Sequence, residues 1–310
     1  MTAPLAHANP APVPSDGLFP GANLAGRDLS GQSLRGRDLS GVNLRGAKLC
    51  ACDLSGAELM GADLTGADLR DATLVRTGLA MTTLDGAQCT QANFTEASLT
   101  KASLRGIDAD LACFDGARLM DANLCEGSFN TASFVGSTLL NCDIHRASFR
   151  DSAFDNAKIR GLRNFGSSTW VHADLRTADL SSAQLLARHA SDQNFLWEFR
   201  RRSRTSEALY ALWWVTSDCG RSFTRWGLIT ALLAVCFAGL YRVVGVDFGA
   251  NETVLSPLYF SVVTLTTLGY GDILPTTMAG QIAVMVETVL GYVMLGGLLA
   301  MFSSTVARRS

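Results

Sequence analysis

Nearly every fifth residue from Leu24 to Ile159 is large and apolar. Of the 28 positions at that step, 26 are Leu, Phe or Ile, and the exceptions are Cys89 and Ala109. Two residues earlier, Ala takes 16 of the 28 places, as in Ala62-Asp63-Leu64 and Ala122-Asn123-Leu124. A fixed internal period is the mark of a solenoid. A period of five fits neither the 3.6 of an α-helix nor the 2 of a flat strand, so the chain must turn a corner every five residues. A square coil with one pentapeptide per side satisfies this, with the large residue and the small one two before it both pointing inward. Four large side chains per turn leave little room beside them, which accounts for the alanines. The 28 sides make seven turns, and a parallel-strand spacing of about 4.8 Å gives a rod of roughly 34 Å.

These residues resemble the pentapeptide-repeat family. The resemblance covers about residues 21–185, within a domain drawn at 21–187. It implies a right-handed quadrilateral β-helix and is almost silent on function. The register breaks near Arg163–Trp170 and resumes one residue out of phase at Leu175, Leu180 and Leu185, which predicts a bulge or loop near the end of the rod. Some members of the family mimic the charge of a DNA duplex. Residues 21–160 hold 14 Lys/Arg against 17 Asp/Glu, and a net of −3 over seven turns is too weak for that mimicry. No nucleic-acid partner is expected; an assembly, docking or modulatory role is.

The two halves of the chain differ in kind. From Ile273 to Ala307 the only charged residue is Glu287, so a water-soluble half precedes a lipid-soluble one. Residues 1–20 hold five of the seven prolines and no basic residue, which reads as a disordered leader rather than a secretory signal. Six of the eight cysteines lie in the soluble half at irregular spacing, as small buried thiols of a reducing compartment rather than zinc ligands. The four histidines are scattered, and no nucleophile–base pair or phosphate-binding loop stands out, so neither an enzyme nor a cofactor beyond a permeant ion is expected.

Residues 188–225 mix aromatics with arginines: Phe195, Trp197 and Phe199, then Arg200, Arg201, Arg202 and Arg204, then Trp213 and Trp214. That combination suits a helical linker lying in the cytoplasmic membrane interface. The alternative is a helix packed on the last coil of the rod.

Trp226–Tyr241 carries no charge, and the apolar run continues past Arg242 to Val246. Its 21 residues span about 31 Å, enough for a first membrane helix, and Arg242 can reach the headgroups. A second span is expected over 278–306. Arginines crowd before the first span and Arg308 and Arg309 follow the second, which predicts a plasma-membrane protein with both termini cytoplasmic. Between the spans, Ser256 can cap a short helix over 256–266 that opens with Pro257. Eleven residues reach only about 16 Å, half the hydrocarbon thickness, so this half-helix must be buried in protein.

The residues that follow, Thr267-Leu268-Gly269-Tyr270-Gly271-Asp272, resemble the filter signature of bacterial two-transmembrane potassium channels over a pore domain at 226–307. Leu268 stands where Val or Ile is usual. A dehydrated potassium ion needs oxygens in place of its water shell. The carbonyls of Thr267, Leu268, Gly269 and Tyr270 would supply them as K+ sites, with the Thr267 hydroxyl closing the innermost. Carbonyls that all face one axis require a backbone of alternating handedness, hence Gly269 and Gly271. One chain gives a quarter of each ring, so a homotetramer is implied. The resemblance further implies a hinge at Gly291, with Leu295, Leu299 and Ser303 on the same helical face as a pore lining; Gly296 and Gly297 could bend the helix or permit close packing. Val263 occupies the place of the usual pore-helix glutamate, so Asp272 needs another partner, for which Tyr259 is the candidate. Glu287, alone in its span, is expected to be functional, either as a support behind the filter bonded to pore-helix backbone or as a proton-sensitive gating group.

The fold expected is therefore an N-terminal quadrilateral β-helix followed by an all-α two-transmembrane pore domain with a re-entrant pore helix. The expected function is a potassium-selective channel subunit; the alternative is a membrane-anchored repeat scaffold whose pore conducts poorly or not at all.

Overall fold

The computed structural model describes residues 17–309 apart from 182, 221, 250 and 251, and the expected leader falls mostly outside them. Two compact units emerge, Met1–Trp197 and Glu198–Ser310.

The first unit is a parallel β-helix with four pentapeptides per coil. Bridges join residues 20 apart, from Asn23 with Asn43 through Arg118 with Thr138. Strand β1 (Thr138–Leu140) pairs in parallel with β2 (Lys158–Arg160) in the same register. Each residue before a large apolar one donates to the coil below and the large one donates to the coil above, as in Asn43 N to Ala22 O at 2.9 Å and Leu24 N to Asn43 O at 2.7 Å. Corners follow from local chemistry. The second residue after each large one is left-handed, commonly glycine (Gly26, φ 66°) and elsewhere a residue such as Asp71 (φ 58°); glycine bears that conformation most cheaply. Asp or Asn before the large residue holds the next corner, as when Asp53 Oδ1 accepts from Ser55 N at 2.9 Å.

The core is one continuous column of wholly buried Leu, Phe and Ile flanked by Ala. Phe94, Phe114, Phe134 and Phe154, one coil apart, stack with centroids 4.8–4.9 Å from one another. Several polar residues at alanine places are satisfied, although the buried Gln32 Nε2 is not: Thr77 and Thr82 hydroxyls donate to Leu54 and Leu59 carbonyls at 2.9 and 2.8 Å. Cys52 and Cys142 thiols do the same to Leu29 and Leu119 at 2.6 and 2.7 Å. The core begins earlier than residue 21, with Leu18 buried over the first coil.

The register slip is one inserted residue. Asp143 bridges Arg163, 20 residues on, whereas Ser148 bridges Thr169, 21 on. A left-handed Asn164 and a single 3-10 turn, Phe165–Ser167, absorb the extra residue. Trp170 thereby lands on Phe149, with ring centroids 4.5 Å apart, and continues the stack.

Helix α1 (Gln184–Arg201) corrects the linker drawn at 188–225. It starts within the rod unit and buries Leu186 and Ala190 in the rod core. Gln193 accepts from Trp170 N at 2.6 Å and donates to Ser168 O at 2.7 Å, and Asn194 accepts from His172 N at 2.7 Å. The last coil has no further coil to pair with, so helix side chains take over its backbone groups. The linker is thus two helices, of which the first part is a rod cap.

In the second unit, α2 (Arg204–Ser217) is capped by Ser203, whose hydroxyl accepts from Ser206 N at 3.0 Å. Two helices, α3 (Phe223–Tyr241) and α5 (Met278–Arg309), contain stretches long and apolar enough to cross a membrane. Between them lie β3 (Val246–Asp247), the ten-residue helix α4 (Ser256–Leu265) and β4 (Leu274–Pro275), with β3 and β4 antiparallel. Ser256 is the first residue of α4 rather than its cap, and its hydroxyl accepts from Thr253 N at 2.8 Å.

Candidate functional site

Helix α4 ends at Leu265, and the loop Thr267–Asp272 leaves from its carboxyl end. Leu265 is buried with Ala234 of α3 and Met294 of α5. Ile273, just past the loop, is buried with Tyr241, Phe260 and Ala283. The loop is therefore strung between two residues fixed in apolar clusters, while Leu268 and Tyr270 are 61% and 66% exposed.

Its backbone alternates in hand. Thr267, Gly269 and Gly271 have φ of 60°, 53° and 76°, whereas Leu268 and Tyr270 are not left-handed. The third left-handed position, Thr267, carries a β-branched side chain, for which this region is a costly conformation. The helix end holds it there: Thr267 N donates to Thr264 O and Leu268 N to Val263 O, both at 3.0 Å. The glycines at 269 and 271 foretell the alternation, but nothing in a threonine foretells the third position. At the far end of the loop, the Tyr259 hydroxyl donates to Asp272 Oδ2 at 3.0 Å. Arg242 donates to Val254 O at 2.9 Å, within the α3–α4 connection.

Glu287 is completely buried. One carboxylate oxygen accepts from the Tyr241 hydroxyl of α3 and the other from the Ser261 hydroxyl of α4. Its partner on the pore helix is thus a side chain, not the expected backbone. Tyr241 and Ser261 were missing from the sequence-derived site; the signal for them was a single tyrosine ending a charge-free run and a serine inside an apolar half-helix.

Helix α5 runs unbroken through Gly291, Gly296 and Gly297. A Cβ on Gly291 would strike the carbonyl oxygen of Leu265, and one on Gly297 would strike the Trp226 ring; at Gly296 nothing lies within 4 Å. Trp226 is itself fixed, its Nε1 donating to Met294 O at 3.0 Å. Gly291 is buried, whereas Leu295, Leu299 and Ser303 are exposed. Among the described residues no cluster of His, Cys, Asp and Glu could hold a metal ion.

Among solved structures, this chain is similar to trypsin-treated QnrB1, a plasmid-mediated fluoroquinolone resistance protein. That likeness is 20% identical, with TM-score 0.31, over 51% of this chain and 84% of that one. It is also similar to HetL of the cyanobacterium Nostoc, a pentapeptide repeat protein involved in heterocyst differentiation regulation, at 27% identity and TM-score 0.24 over 52% and 90%. The A-type voltage-gated potassium channel KCND3 of Homo sapiens and of Rattus norvegicus is 30% identical over 82 residues, 26% of this chain. The chain spans 12% of the length of these curated relatives. A family model described as pentapeptide repeats matches in eight copies within 19–49, 38–74, 79–108 and 112–151, and one described as ion channel matches 228–308. Neither family is a family of enzymes. The chain joins a pentapeptide-repeat β-helix to a helical domain that matches the ion-channel family model and holds two helices long and apolar enough to cross a membrane.

Proposed function

We propose that the chain is one subunit of a homotetrameric potassium-selective channel of the plasma membrane, with Thr267–Gly271 as its filter. The observation that carries this reading is the alternating hand of the loop, the backbone pattern that lets successive carbonyls face one side, with both loop ends anchored. Four such loops around an axis give rings of oxygens at the Thr267, Leu268, Gly269 and Tyr270 carbonyls, replacing the water shell of a potassium ion. Neighbouring subunits would also cover Leu268 and Tyr270, whose apolar surfaces are otherwise bare. Helix α4 points its carboxyl end, the negative end of its dipole, at the ion cavity. Asp272 and Tyr259 support the filter from outside and Glu287 from behind. Gly291, Leu295, Leu299 and Ser303 lie on the inner helix below, where the gate would form. The arginines before α3 and those ending α5 favour cytoplasmic termini, with the rod inside the cell as an assembly or docking module.

The test is ion flux through purified protein in liposomes under a potassium gradient, with sodium and barium as controls. Potassium-selective, barium-blocked flux supports the reading. Intact tetramers that pass no ion, with and without residues 1–197, would support an anchored scaffold instead.

A further inference from the structure

Glu287 has a setting unlike any other acid among the described residues. It is fully buried, and among the described residues its hydrogen bonds come from two neutral hydroxyls, one on each neighbouring helix. Each hydroxyl occupies one carboxylate oxygen, and Tyr241 and Ser261 are themselves 1% and 0% exposed. A buried carboxyl group with two hydroxyl partners depends on both, because a buried polar atom left without its partner is costly.

The geometry around this acid is stepwise. Glu287 of α5 meets Ser261 of α4. One helical turn further along both helices, Gly291 presses against the carbonyl of Leu265. Two residues beyond Leu265 the left-handed Thr267 begins the filter loop. At the loop's other end, Ile273 shares a cluster with Tyr241 and with Phe260, whose ring stands edge-on to Tyr241 at 4.9 Å. Tyr241 therefore touches the pore helix through its ring, the far end of the loop through the cluster, and the inner helix through its hydroxyl.

We propose that Glu287 is a positioning residue for the ion pathway, joining α4 to α3 and α5 at one point, and that Tyr241 thereby makes the outer helix part of the filter's support. A displacement of α3 would then be felt at the filter as well as at the inner helix. This rests on the reading of Thr267–Gly271 as a filter.

The experiment uses the full chain in liposomes and reads two quantities: amide hydrogen exchange across 256–265, and the ratio of potassium to sodium flux. Tyr241→Phe deletes one oxygen while keeping the ring; Ser261→Ala deletes the other donor; Ser261→Thr keeps a hydroxyl. The first two should each speed exchange in α4 and lower the flux ratio by about tenfold, the scale of one lost buried hydrogen bond, and Ser261→Thr should restore both. Unchanged exchange and flux ratio in Tyr241→Phe, or a Ser261→Thr protein that behaves like Ser261→Ala, overturns the proposal. If the unmodified protein does not discriminate potassium from sodium, the filter reading fails; the exchange data then decide the clamp alone, faster exchange in Tyr241→Phe supporting it and equal exchange refuting it.

Discussion

Three glycines within seven residues of one helix allow the same substitution to be made in three surroundings. Replacing a helix-interior glycine by alanine is worth about 1 kcal/mol in backbone terms. At Gly296, with nothing within 4 Å of the new methyl, that gain should appear in full. At Gly291 the methyl meets the Leu265 backbone carbonyl, which cannot rotate away. Overpacking of this kind costs about 1–3 kcal/mol, so the net is a loss of up to about 2 kcal/mol. At Gly297 the obstacle is the Trp226 ring, held by its bond to Met294 O, and the loss should be comparable. The assay is thermal unfolding of the full-length protein in detergent, with the three variants side by side. Gly296→Ala should melt highest, above the unmodified protein, and the other two below it. If Gly291→Ala melts as high as Gly296→Ala, α5 does not lie against the end of α4 as described. The comparison also separates packing from bending at Gly291, since a residue needed only as a hinge would gain stability from alanine.

Phe134→Ala should cost about 3–5 kcal/mol, because its ring is stacked on Phe114 and Phe154 at 4.9 Å on either side; circular dichroism of the melting rod checks this. Gln193→Ala leaves the Trp170 N–H without its partner, and the Ser168 carbonyl with only the longer 3.3 Å contact to His189 Nε2; it should destabilise the rod's last coil by about 1–3 kcal/mol, seen as faster amide exchange at Trp170. Hydrogen bonds from Arg176 and from Arg160 hold the carboxyls of Asp174 and Asp179 down to about 2. Because the folded values are depressed, their contribution is complete above about pH 4 and is lost as the pH falls through 2, so the rod's melting temperature should drop across that window and less so in high salt. Burial pushes the Cys52 thiol up to about 11 and that of Cys142 to about 12; mass spectrometry after mild alkylation at pH 8 should find both unmodified until the rod is unfolded.

The rod was legible in outline because an inward-facing residue every five positions allows one solution, and the break at Arg163–Trp170 marked where the slip occurs. What the repeat could not show is how the slip is used. Trp170 reads as an interruption, yet it continues the phenylalanine stack. A helix on the last coil was the alternative for the linker, but how it caps was hidden, since Gln193 and Asn194 look like surface residues until the last coil needs partners for its backbone. In the membrane half, the glycines at 269 and 271 announced an alternating loop, and Tyr259 could be paired with Asp272 because only 13 residues separate them. Tyr241 and Ser261 lie 46 and 26 residues from Glu287, and a hydroxyl carries no sequence pattern that would point so far.

The inserted residue at the slip shows what lengths this rod can tolerate. A coil closes after 20 residues, so adding or removing 20 shifts everything beyond by one stacking interval, about 4.8 Å, and leaves each face aligned. Five residues instead turn every later face, and α1 with them, through a quarter revolution about the rod axis. A lone extra residue is absorbed only where a corner can loop out, as between Arg163 and Thr169. Length and angular direction are thus set by two different counts along the same repeat, and either can change while the other is kept.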